Sequence, residues 1–177
     1  MEKQRELKNS SIAWVVSIAL VVVGLFAGAF TSFNNMRNAA QNTFDQEIMP
    51  TVSLAMEFAF NVQTIAGRYL TQTEIESIGV TAIAQNIQSV NEPGEIFTYY
   101  VDLNRAVWAI YDRLALMDME ASTQTLHQRY HSNFLEQDLR LSQSTYNQEA
   151  EGFNETINSG LGFLVRPIIR DLPRFDN

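Results

Sequence analysis

Residues 9–36 carry no charge, and residues 12–30 within them, IAWVVSIALVVVGLFAGAF, are almost wholly apolar. A helix of that length matches a hydrocarbon core about 30 Å thick, so the block predicts a transmembrane anchor over residues 11–32. Trp14 and Phe33 fall near its two ends, where aromatic side chains suit the membrane interface. A cleaved signal peptide is the competing reading, because Ala27, Gly28 and Ala29 offer an A-x-A site behind a basic start. The apolar block runs up to and past that site, which favours the anchor. Gly24 and Gly28 form a small-xxx-small pair through which two such helices can self-associate into a homo-oligomer; the alternative is a plain anchor.

Charge flanking the span sets an expected orientation. Lys3, Arg5 and Lys8 precede it, and within about 20 residues after it only Arg37 follows. The positive-inside rule therefore places a tail of residues 1–10 in the cytoplasm and the remainder outside the membrane. Residues 1–8 carry a net +1; since the whole chain carries −8, residues 9–177 hold −9. An acidic domain of this kind repels phosphate backbones, so nucleic acid is not an expected partner, whereas the lipid bilayer is. The chain has no cysteine, which removes disulfides, thiolate catalysis and thiolate metal sites together.

Past residue 30, glycine and proline are rare and apolar residues recur at helical spacing: Phe33, Met36, Ala40, Phe44, Ile48, Val52, Ala59 and Val62. This predicts one long helix continuing out of the membrane, kinked at Pro50. Thr71 and Glu74 have the spacing of a capping box, so a second helix is expected from there to about Val90. NEPGE at 91–95 reads as a turn. A third helix follows through Phe97, Tyr100, Leu103, Val107, Ile110, Leu114 and Met117. Ser122 or Thr123 is the expected cap of a fourth reaching about Ser159. The fold class is thus all-α: an N-terminal transmembrane helix continuing into an antiparallel four-helix up-and-down bundle over residues 33–160. The tail, residues 161–177, sets Phe163, Leu164, Val165, Ile168, Ile169, Leu172 and Phe175 among Arg166, Arg170 and Arg174. Such a segment either closes the end of the bundle or meets the membrane surface through its three arginines.

Chemistry is sparse. His127 and His131 stand at i and i+4 and form the candidate metal pair, but zinc or iron needs further ligands, and Gln124 and Gln128 occupy the positions where a di-iron bundle carries glutamate. The bland alternative is two solvent-facing histidines on an amphipathic helix. No nucleophile–base arrangement, phosphate-cradling loop or dinucleotide fingerprint is present. The expectation is a protein that is not an enzyme and needs no cofactor.

In the fourth helix, Tyr146-Asn147 and Phe153-Asn154 repeat at seven residues, with Ile157 four after Phe153. Seven residues is about two turns, so the rings share one face and the amides a neighbouring stripe that can hydrogen-bond to the adjacent helix or its connection. The rings are expected in the core. These residues, with DLRLSQSTYN before them and NTFDQEI and NVQTIAGRYLTQTE nearer the membrane, resemble the bacterial LemA family, whose last helix repeats Tyr-Asn at the same spacing. Phe153 replaces the second Tyr, and the family's Leu-Ile-Pro-Asn-Leu stretch is absent. The resemblance implies a membrane-tethered up-and-down four-helix bundle with no established catalytic activity and no agreed active site to carry over.

Two functions follow as expectations. The first is a single-pass, membrane-anchored scaffold or interaction protein of the bacterial envelope, acting on an unidentified membrane or envelope protein or by self-association. The second is a sensory ligand-binding bundle of the chemoreceptor-ectodomain type, which also begins with a span followed by a long helix.

Overall fold

The computed structural model describes residues 2–160, 162 and 165–175, with side chains described from Ile12 onward. Among these residues the secondary structure is all helical, with no strand. The chain divides into two compact units, Met1–Ala39 with Gly152–Asp171, and Ala40–Glu151 with Leu172–Asn177. In the first, helix α1 (Glu2–Thr43) begins with a stretch whose side chains from Ile12 to Gly28 are all exposed, Leu20 and Trp14 by 68% and 69%. This helix is long and apolar enough to cross a membrane. A run of large apolar side chains left bare in water opposes folding, whereas bilayer hydrocarbon removes the cost. Among the described residues of this unit, Ala29 and Phe33 on α1, and Phe153, Ile157, Val165 and Ile169 later in the chain, are buried and apolar.

The helical run continues through a π-helical turn at Phe44–Ile48 into α2 (Met49–Ala66). Its cause is visible in the spacing. Ala40, Phe44, Ile48 and Val52 are all buried and each lies four residues after the last. Four residues of ordinary α-helix overshoot one turn by about 40°, so three such steps would carry the stripe about 120° around the helix. A π turn holds more residues per turn and absorbs the excess; the Met49 N–H donates to Phe44 O, five residues back. Where a kink at Pro50 is expected, the structure has this π turn just ahead of it, and the proline stands in the first turn of α2.

α2 ends at Gly67, and the expected capping box opens α3 (Gln72–Ile78): the Glu74 N–H donates to Thr71 Oγ1 at 3.3 Å, and the Thr71 N–H donates to Glu74 Oε2 at 2.8 Å. Those Thr71 donors hold the Glu74 carboxyl below its usual value. The single second helix expected to reach Val90 is in fact two, because Gly79 adopts a left-handed φ of 79° and separates α3 from α4 (Val80–Ser89). Glycine lacks the Cβ that makes this conformation costly. α5 (Pro93–Leu114) follows the turn at residues 91–92. α6 (Ala121–Ser142) starts ahead of the expected caps: Glu120 is its N-cap residue, without a side-chain cap, while Ser122 lies inside the helix and Thr123 is buried.

A second correction falls on the fourth helix, which breaks at residues 143–144 into α6 and α7 (Thr145–Ile157). In an unbroken helix Leu141 O and Ser142 O would accept from Thr145 and Tyr146. Instead the Asn147 side-chain amide donates to both, at 2.9 and 3.2 Å, and the Thr145 N–H donates to the Glu47 carboxylate at 2.9 Å. The backbone groups freed by the break therefore find partners, as buried peptide groups require.

Within the second unit α2 lies chiefly against α6 and also meets α5 and α4, while α4 and α3 pack on α5. Val52, Ala55, Ala59 and Val62 of α2 and Leu103, Val107, Ile110 and Leu114 of α5 are almost completely enclosed. Small side chains at Ala55 and Ala59 let the backbone of α2 approach its neighbours closely.

Candidate functional site

The aromatic-Asn repeat sits where its spacing predicts, with the rings inside. Tyr146, Phe153 and Ile157 are buried to 1% exposure or less, and Asn147 to 4%; Asn154 is half-buried. The Tyr146 hydroxyl donates to Pro173 O at 2.9 Å. Besides bridging the helix break, the Asn147 amide donates to Phe175 O at 3.0 Å and accepts from the Phe175 N–H at 2.6 Å. Residues 172–175 are thereby strapped to the second unit, and the Phe175 ring sits 5.1 Å from Phe97, 5.5 Å from Phe44 and 6.2 Å from Tyr146, centroid to centroid. A single amide so engaged on both ends is a structural clamp, since its N–H groups serve three backbone carbonyls and its oxygen holds the Phe175 N–H.

The tail arginines are placed differently from one another. Arg166 and Arg170 are exposed, and Arg174 pairs with Glu151 at 3.1 Å. Ile168 is 61% exposed, while Val165, Ile169, Leu172 and Phe175 are buried; Phe163 and Leu164 lie outside the described residues. Gly24 and Gly28 lie on the bare part of α1, and a Cβ added at either would meet nothing within 4 Å.

His127 and His131 are not solvent-facing. They are 2% and 5% exposed, because they belong to the inward stripe of α6: Thr123, His127, His131, Phe134, Gln137, Leu141. The Tyr111 ring lies nearly parallel to both imidazoles, at 5.1 Å from His127 and 3.9 Å from His131, and Trp108 meets His131 edge-on at 4.7 Å. Each Nε2 is buried and has no hydrogen-bond partner among the described residues. Burial pushes both imidazoles below the ordinary histidine value; for His131 the neighbouring His127 adds to the effect and Asp112 opposes it. Among the described residues no group of three or more His, Cys, Asp or Glu comes together to complete a metal site around the pair.

One arrangement escaped the sequence reading. Asp138, half-buried on α6, accepts from the Tyr100 hydroxyl at 3.3 Å and from Asn104 Nδ2 at 3.1 Å, both on Oδ1. Its signal was modest: a carboxylate next to the inward-facing Gln137, at the edge of a core stripe.

Comparison with protein-family models, with curated proteins and with solved structures finds no match for this chain.

Proposed function

We propose that this chain is a single-pass, membrane-anchored helical-bundle protein of the bacterial envelope, with its N-terminus inside and its folded helices outside, serving as a scaffold or interaction module. One observation carries the reading. The helical run Ile12–Ala66 begins as bare apolar surface and ends as the buried core of a folded domain, so anchor and domain are consecutive parts of one run. The three basic residues before the span support the orientation. Tyr146-Asn147, Phe153-Asn154 and Ile157 support an antiparallel up-and-down bundle of the LemA type, with the rings as core.

Alkaline phosphatase and a cytoplasmic reporter, each fused after Asn177, test the topology: the phosphatase is expected to be active and the cytoplasmic reporter silent. The reverse pattern overturns the orientation. In-membrane crosslinking followed by mass spectrometry tests the scaffold role, which fails if it captures neither a second copy nor any protein partner.

A further inference from the structure

Between α5 and α6, and bordered by Phe175, lies a cleft of about 250 Å³. Its apolar walls include Phe97, Phe175, Leu135 and Leu139, and its polar lining comes from Asp138, Tyr100 and Ser142. Both neutral donors to Asp138 fall on Oδ1; no donor among the described residues reaches Oδ2, and no lysine or arginine among them pairs with the carboxylate. Arg105 and Arg140 are engaged by Asp102 and Glu136, at 2.9 and 2.7 Å. Burial and the adjacent carboxylate hold the Tyr100 phenol firmly protonated, so toward Asp138 it acts only as a donor. A half-buried carboxylate so held, beside apolar walls that weaken solvent screening, attracts a cation.

The walls decide which cation. A metal ion seeks several oxygen ligands, and no second carboxylate lines the cleft with Asp138. A primary ammonium brings three N–H donors, for which the lining side chains offer only the carboxylate and the Ser142 hydroxyl. A methylated ammonium has few or no N–H groups to satisfy, and its positive carbon surface suits aromatic faces. We infer that this cleft binds a methylated ammonium group, with Asp138 as its counter-charge and Phe97 and Phe175 as its aromatic walls. Tyr100 and Asn104 are positioning residues that fix the carboxylate. The assignment is independent of the membrane reading, since every residue in it belongs to the second unit.

The test is calorimetric titration of choline chloride into the full chain in nanodiscs, against potassium chloride at equal ionic strength and with empty nanodiscs subtracted. The uncharged carbon isostere 3,3-dimethyl-1-butanol is titrated in parallel. Saturable choline binding, at least tenfold tighter than that of the alcohol, is expected. Asp138→Asn should weaken choline at least tenfold and Phe97→Leu severalfold, with the thermal melt of each variant showing it folded. Absence of saturable choline binding, equal binding of the alcohol, or unchanged binding by a folded Asp138→Asn variant overturns the inference. The isostere comparison uses the unaltered chain, so it decides the matter even if a variant fails to fold.

Discussion

Two buried polar clusters in the same helical unit handle their hydrogen bonds in opposite ways. Around Asn147 both ends of the amide are engaged, by Leu141, Ser142 and Phe175. Around His127 and His131 each Nε2 is enclosed with no partner among the described residues, and the imidazoles stack against aromatic rings. A satisfied polar group in a low-dielectric interior fixes one geometry, whereas an unsatisfied one is a standing cost that a change of protonation can enlarge. The first cluster should therefore respond to deletion and the second to acid.

The largest expected effect is at Tyr146. Truncation to alanine removes a ring packed edge-on against Phe44 at 5.2 Å, together with the hydroxyl bond to Pro173 O, and should cost about 3–5 kcal/mol in denaturant unfolding of the full chain in detergent. A loss below about 1 kcal/mol would remove the ring from the core. Next comes Asn147→Ala, which removes the acceptor of the Phe175 N–H and the amide donor to Ser142 O, Phe175 O and Leu141 O, the last of which keeps the Ser144 N–H at 3.3 Å. Orphaned buried groups cost about 1–3 kcal/mol each unless water reaches them, so a total near 3 kcal/mol is expected. Amide hydrogen exchange should locate the loss at the α6–α7 junction and the 172–175 strap; protection unchanged there would contradict the clamp.

Acid separates the two clusters. Both imidazoles are depressed below the ordinary value of 6.5, so at intermediate pH the unfolded chain binds more protons than the folded one. Their contribution to stability is thus complete above pH 6.5 and is lost as pH falls through the folded-state values. The slope should reach at most about 1.4 kcal/mol per pH unit for each imidazole. A His127→Phe, His131→Phe variant keeps the stacked rings and should flatten the stability profile between pH 6.5 and about 5, above the carboxylate range. If the profile of the unaltered chain is already flat there, the imidazoles are not the acid-sensitive groups. Smallest is Glu47→Gln, which keeps an acceptor for the Thr145 N–H but removes a negative charge from the start of α7. It should cost about 0.3–1 kcal/mol, diminishing with added salt; a larger, salt-insensitive loss would make this contact part of the clamp itself.

Local chemistry was legible in the sequence, and long-range partnership was not. The Thr71–Glu74 box follows from two residues three apart, and the inward rings of Tyr146 and Phe153 from a seven-residue repeat. The amide stripe pointed to the adjacent helix or its connection, whereas Asn147 bonds to the α6–α7 break and to the tail. That one of its partners is Phe175, 28 residues on, has no local signature. Asp138 is similar, since its donors come from Tyr100 and Asn104, more than thirty residues earlier. The histidines are a different case. Their burial follows from helical phase, in a stripe with Thr123, Phe134 and Leu141, against the polarity of their side chains. Gly79 stands apart again: a lone glycine within a helical pattern is tolerated often enough that only the backbone shows it breaking the helix.

The π turn at Phe44–Ile48 constrains the gene as well as the fold. Substitutions along an ordinary helix are judged one side chain at a time, but here the turn holds one residue more than an α-helix needs. Losing a codon between Phe44 and Ile48 would let the turn close as ordinary α-helix, with Ala40, Phe44, Ile48 and Val52 then four, three and four residues apart and still close to one face. Gaining one would carry Ile48 and Val52 away from that face, so among changes of length in this turn losses should be tolerated and gains purged.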